Sequence, residues 1–375
     1  MRLDLRALRA LSRTERITVA AAVAFTVIAG ISKVIGPRTV ATFLIAAVAL
    51  AALAALVGQS IEQVGERLGP GPTGLLQSAL GNLPELLVGI FALRAGLVEV
   101  VRAALVGSIL ANTLLVLGVA ILAGGLKNGT QRFPSDQPRM IGTLLLLAVA
   151  ALLVPTLAQL LHTPAAPHAA GLSSAVAVIL IAVYALSIPF WLRQAKPEPG
   201  PEPERAASEG SATKPGTHPP RPAWPLGLAV ALLVVGSLGA ALASDWFVGA
   251  LEPATKSLGL SQTFTGLVIV AIASNAVENV VGIRFALAAR PDYALSTILN
   301  SPLQIALLLT PLLVLVSHLT GPTHLTLVFP ALEVCALALA TVVVIVVLAD
   351  GEYVWLEGVA LIGLYCIVAA SFWWG

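Results

Sequence analysis

Apolar residues along this chain do not alternate with polar ones. They run on in long blocks separated by short polar breaks, and eleven blocks can be marked: 17–35, 39–57, 73–97, 100–126, 140–160, 172–193, 224–248, 262–288, 293–320, 326–349 and 354–373. A helix crosses the hydrocarbon of a bilayer with about 20 such residues. Each block therefore predicts one spanning helix, and the fold expected is an all-α polytopic membrane protein. Composition agrees: 58% of the 375 residues are hydrophobic and 11% are charged, against about 25% charged in soluble domains. One water-soluble core is excluded. A net charge of +2 gives no reason to expect nucleic acid as a partner. The basic N-terminus runs into an apolar block with no small-residue cleavage site after it, so a retained first helix is expected rather than a signal peptide. Cys335 and Cys366 both lie in apolar blocks and are expected to be packing residues.

One break differs from the others. The stretch "RQAKPEPGPEPERAASEGSATKPGTHPPRPAW" is rich in proline, glycine and charge, and reads as a linker without a core of its own. The boundaries expected are 1–38 for the basic N-terminus and first helix, 39–193 for a first five-helix unit, 194–223 for the linker, and 224–375 for a second five-helix unit. If the N-terminus is cytoplasmic, sixteen of the 21 lysines and arginines fall on the linker side. The positive-inside rule then puts the linker in the cytoplasm and the C-terminus outside. Deleting residues 198–218 should leave transport intact; normal insertion with loss of transport would show that the linker has a role.

Five spans repeated along a chain insert upside down the second time. Inverted repeats that meet at the bilayer midplane are characteristic of secondary transporters. Here the repeat is visible in residues. "GNLPELLVGI" places Asn82 three before Glu85; "ASNAVENVVGI" places Asn275 three before Glu278. Ser108 follows Glu85 by 23 residues, and Ser301 follows Glu278 by 23. Asn112 lies four after Ser108, and Gln304 three after Ser301, so each amide is expected to look back at its own serine.

A glutamate at the centre of a membrane helix costs roughly 2.5–3.5 kcal/mol on insertion scales. A basic partner, a proton or a metal ion must offset that. The nearest arginines in sequence, Arg94 and Arg284, lie near span ends, which leaves a proton or a cation. The groups at hand are hard oxygens: two carboxylates, the amides of Asn82, Asn275, Asn112 and Gln304, and the hydroxyls of Ser108 and Ser301. Such sets suit calcium, magnesium or manganese. Pro84 cannot bond back to the preceding turn, which frees carbonyls near Gly81 to face an ion. Gly81 and Ser274 let backbone come close. Two carboxylates alone in such a place repel each other when empty, so protons and cation compete for them. Glu333, after Pro330, is a further carboxylate, read as a packing or proton-path residue. Glu62 and Asp245 read as solvated.

These segments resemble the calcium/proton exchanger family of the calcium/cation antiporter superfamily. "SIEQVGERLGPGPTGLLQSALGNLPELLVGIFALRAGLVEVVRAALVGSILANTLLVLG" is similar to its first signature region. "LEPATKSLGLSQTFTGLVIVAIASNAVEN" with "LNSPLQIALLLTPLLVL" is similar to the second, and "LEVCALALATVVVIVVLADGEYVWLEGVALIGLY" to its closing segment. The resemblance implies eleven spans, a central cation site at Glu85 and Glu278, and exchange of calcium for protons by alternating access, with no enzyme activity and no cofactor. Calcium ions, protons and membrane lipid are the partners implied; self-association stays open. Leu83 and Pro84 stand where the family has Ala-Thr, and Ser274 and Asn279 where it has Gly and His. A Pro-Glu pair is more typical of the sodium/calcium branch, so sodium-coupled exchange of calcium or another divalent cation is the alternative. A channel would present rings of ligands around a pore, and an intramembrane protease would need a second chemical signature that the chain lacks.

Overall fold

The computed structural model describes residues 11–36, 40–68, 80–194, 224–320 and 324–373, leaving aside the side chains of residues 66, 68, 190–194 and 276–278. The linker expected over 194–223 lies almost wholly outside the described residues. So do residues 1–10 and the first part of the third block.

The apolar blocks fold as helices. They are α1 (Arg13–Ile35), α2 (Val40–Leu68), α3 (Leu83–Arg94), α4 (Val98–Asn128), α5 (Asp136–Leu160), α6 (Ala169–Gln194), α7 (Leu226–Leu258), α8 (Gln262–Ser274), α9 (Ala276–Leu287), α10 (Pro291–Thr320), α11 (Ala331–Val347) and α12 (Trp355–Ser371). Local chemistry sets their ends. Ser12 and Glu15 form a reciprocal capping box at the start of α1. Gly259, at φ +66°, takes the left-handed turn that closes α7.

Seven described helices are long and apolar enough to cross a bilayer alone, and α8 with the end of α9 forms an apolar pair bent by 62°, a broken span or a re-entrant loop. The other expected crossings fall on shorter helices: α3 has 12 residues, α11 and α12 have 17 each. In the other direction, α7 runs for 33 residues, about 50 Å, well beyond the apolar block that marked it.

α2 packs along α7, and α1 lies against α2. Trp224, fully buried, ties the start of α7 to α2: its backbone N–H donates to Gln63 Oε1 at 2.8 Å, and Arg67 Nη2 donates to its carbonyl at 2.7 Å. The remaining helices form a second group around α4 and α10, the two long helices that carry the repeated serines.

These helices cross with little between them. A Cβ on Gly107 would fall 2.1 Å from the Leu267 carbonyl oxygen, and one on Gly266 would fall 2.6 Å from that of Val100. Helix backbones thus touch where α4 meets α8, the small-residue contact on which helix association in lipid depends.

A two-residue antiparallel ribbon interrupts the helical fold: β1 (Gln131–Arg132) pairs with β2 (Glu352–Tyr353). Beside it, three side chains from the end of α4 and from β1 reach the C-terminal carbonyls of α9. Lys127 Nζ donates to the Leu287 carbonyl at 3.1 Å. Asn128 Nδ2 and Gln131 Nε2 donate to that of Ala286 at 3.2 and 3.3 Å. Tyr353 donates its phenol proton to Gln131 Oε1 at 3.0 Å. Burial pushes that phenol up to about 12, with Asp292 adding to the effect, so it stays a donor.

The cysteine expectation fails. Cys335 and Cys366 are both exposed, on the outward faces of α11 and α12. An apolar block lacks the helical periodicity that would have said which side faces the bundle.

Candidate cation site

The two motifs sit where helices break. Asn82 caps α3 with φ −90° and ψ 16°, and Asn275 caps α9 with φ −97° and ψ 6°. Proline at the first turn of α3 fits the start of a helix, where its missing N–H costs nothing. Glu85 and Glu278 therefore fall in first turns, where the unpaired N–H groups and the helix dipole favour a carboxylate. The side chain of Glu278 lies outside the described residues.

Glu85 is 9% exposed, in the interior of the bundle. Its Oε1 accepts from Ser274 Oγ at 3.3 Å and, more weakly, from Ser108 Oγ at 3.5 Å. Ser274 belongs to the second repeat and Ser108 to the first, so both halves of the chain meet at one carboxylate oxygen. Asn275, Asn112 and Ser301 extend the cluster. Asn275 Nδ2 donates to Ser108 Oγ at 3.1 Å, and Ser301 Oγ and Asn112 Nδ2 both reach Asn275 Oδ1 at 3.3 Å. Asn82 Nδ2 donates to Gln304 Oε1 at 2.9 Å.

The amides also reach across the repeats, which the spacing did not imply. Gln304 of the second repeat binds Asn82 of the first, and Asn112 of the first binds Asn275 of the second. Asn112 does touch Ser108, but at the backbone carbonyl, 2.9 Å away, and its contact with a serine hydroxyl is to Ser301 across the repeat, at 3.3 Å. Helical spacing fixes which face an amide is on. Only the fold decides which chain segment that face meets.

Of the ten residues singled out in the sequence, six (Glu85, Ser108, Ser274, Asn275, Asn112 and Ser301) thus share one hydrogen-bonded cluster, and Asn82 and Gln304 form a pair of their own. Ser301 and Asn112 are almost fully buried, and Ser274 is half-buried. No histidine or cysteine joins the group, and its donors are oxygens or amides throughout.

Two features were not visible in the sequence. The chain passes into π-helix at the site on both long helices, at Ala111–Val116 of α4, which includes Asn112, and at Ile305–Leu309 of α10, directly after Gln304. These wide turns occupy corresponding positions in the two repeats and are frequent at functional sites. No residue type marks them. A narrow pocket also opens from Glu85, Ser108 and Ser274 along Gly89, Ala92 and Leu313, away from the ribbon. A Cβ on Gly89 would press on Leu313 Cδ1 at 2.7 Å, so glycine there keeps this seam open.

Glu333 stands apart from the site. It is buried in the first turn of α11, with no hydrogen-bond partner for Oε2 among the described residues. Asp245 is not simply solvated: Lys33 Nζ lies 2.9 Å from its Oδ2.

The profile of the sodium/calcium exchanger protein family matches residues 38–192 and 228–374. The chain belongs to that family. Among sequence relatives of this exchanger, the Ca(2+)/H(+) antiporter of Synechocystis sp. is 37% identical over 337 residues, 88% of this chain and 90% of that protein. The Ca(2+)/H(+) antiporter of Aphanothece halophytica is 35% identical over 341 residues, 89% of this chain and 90% of that one. Among solved structures, native YfkE superposes with a TM-score of 0.77 at 30% identity, covering 96% of this exchanger and 99% of that chain. The H+/Ca2+ exchanger CAX shares the fold, with a TM-score of 0.73 over 96% of this chain and 92% of that one, at 18% identity. The profile stops at residue 192 and resumes at 228, so the gap in it falls on the proline-rich linker.

Proposed function

We propose that this exchanger is a secondary antiporter that trades calcium for protons at the site around Glu85 and Glu278. One observation carries the reading: the two copies of Asn-x-x-Glu start their helices at matching points, and Glu85 of the first and Asn275 of the second join one cluster of hard oxygens. Calcium accepts about 6–8 oxygens in flexible geometry, which suits mixed carboxylate, amide, hydroxyl and carbonyl donors.

The charge arithmetic gives the coupling. Two protons or one calcium ion both neutralise the pair. Either loaded form can be carried through a low-dielectric interior, whereas the empty dianion is strongly opposed there. Reorientation of loaded forms alone links calcium movement to proton movement. The positive-inside rule places the N-terminus and linker in the cytoplasm of a prokaryotic plasma membrane and the C-terminus outside. The pocket beside Glu85 then opens toward the outside. The repeats run over 39–193 and 224–375, joined by the linker. No cofactor or catalytic step enters this scheme.

The test is calcium flux in proteoliposomes. A pH gradient should drive calcium uptake in sodium-free buffer. Uptake that requires a sodium gradient and ignores pH would overturn the proton reading in favour of sodium coupling, the reading the Pro84–Glu85 pair favours.

A further inference from the structure

α1 packs beside α7 at the end remote from the linker, and the seam between them holds two cavities that share one wall, Trp246. The larger is apolar. It is an open groove along Thr26, Val27, Gly30, Ile31, Val34 and Ile35. Its floor is open because Gly30 has no side chain: a Cβ there would sit 3.1 Å from Trp246 Cη2. From Thr26 to Ile35 the helix rises roughly 14 Å, the depth of one leaflet of a ~30 Å hydrocarbon layer.

The second, smaller cavity lies at the head of the first, against Lys33, Gly36, Thr42, Asp245 and Gly249. Its charge pattern is specific. Lys33 Nζ and Asp245 Oδ2 face each other at 2.9 Å, each side chain nearly half exposed, and Lys33 lies 5.8 Å from the centre of the Trp246 ring. A tryptophan at this boundary marks the depth of the lipid headgroups. Among the described residues, the groove is thus a chain-length apolar face that ends in one cation and one anion.

We propose that this seam binds a phospholipid with a phosphoethanolamine headgroup, one acyl chain in the slot of α1 and the headgroup between Lys33 and Asp245. The phosphate accepts from Lys33, and the lipid ammonium donates to Asp245. An anionic headgroup without a cation satisfies Lys33 but sets its phosphate against Asp245. A choline headgroup carries the charge but no N–H to donate. The pair therefore selects the zwitterion with a primary ammonium.

The probe is native mass spectrometry of the full chain in detergent, offered equal amounts of dioleoyl phosphatidylethanolamine, phosphatidylglycerol and phosphatidylcholine. The parent should keep the ethanolamine lipid about fivefold over either other lipid, as expected for a half-exposed charge pair. Lys33→Gln and Asp245→Asn should each remove that preference. Gly30→Leu, which leaves both charges in place, should lower retention of all three lipids by filling the slot. Equal retention of the three headgroups by the parent overturns the proposal. So does preference for phosphatidylglycerol, which would mean that Lys33 acts alone. A preference that survives both charge substitutions in monodisperse protein overturns it as well.

Discussion

Glu85→Gln and Glu278→Gln should each abolish proton-driven calcium flux in proteoliposomes at matched protein levels. Glutamine keeps the size of the side chain, and its amide oxygen can still accept from Ser108 and Ser274, which bond Glu85 Oε1 in the parent. Only the charge is removed. A calcium ion would then face one carboxylate, and the loaded form would carry a net positive charge into a water-poor interior. Leaving a buried charge without its partner costs about 3–5 kcal/mol, which is more than a hundredfold in affinity. Insertion should be undisturbed, because a neutral amide is cheaper to bury than a carboxylate. Either mutant exchanging at close to the parental rate would sink the shared-site mechanism, whatever its effect on affinity.

The second large effect is structural. Gly107→Val should prevent a stable fold. A first side-chain carbon at this position would already lie 2.1 Å from the Leu267 carbonyl oxygen and 2.5 Å from Leu267 Cα. No rotamer relieves a clash with backbone, so α4 and α8 would have to part. Gly107 precedes Ser108 directly, and α8 ends at Ser274, so parting them also pulls away the two hydroxyls that bond Glu85. Overpacking ordinarily costs about 1–3 kcal/mol, more when backbone is the obstacle. Melting in detergent, followed by size-exclusion recovery, should show loss of folded protein. Gly58→Ala is the control: nothing lies within 4 Å of its Cβ position, and alanine is the better helix former by up to about 1 kcal/mol. It should melt no lower than the parent. A Gly107→Val protein that melts and transports normally would refute the close crossing.

Much of this site was legible because membrane burial makes polar residues expensive and therefore rare. Against a background of leucine, alanine and valine, Asn82, Glu85, Asn275 and Glu278 stood out, and their repetition 193 residues apart pointed to one inverted site. Helix positions were legible for the same reason. What the pattern could not carry was pairing across the repeat. Asn82 with Gln304 and Asn112 with Asn275 are separated by 222 and 163 residues, and helical spacing says nothing about such partners. The same blindness hid the Lys33–Asp245 pair, 212 residues apart. The π-turns were invisible because they are set by how the long helices wrap the site. The outward-facing cysteines were misread because a uniformly apolar helix has no marked inner face.

The clamp on α9 has a mechanical meaning. Lys127, Asn128 and Gln131 hold the far end of a helix whose near end is the broken turn at Asn275. Such a helix is a lever with a fixed fulcrum. Its 12 residues make an arm of about 18 Å. A tilt of about 10° around the clamp carries the Asn275 end through roughly 3 Å, more than the length of a calcium–oxygen bond. A small rotation at the ribbon would thus carry the Asn275 end of α9 out of hydrogen-bond reach of Ser108 and Ser301, with no helix needing to unfold.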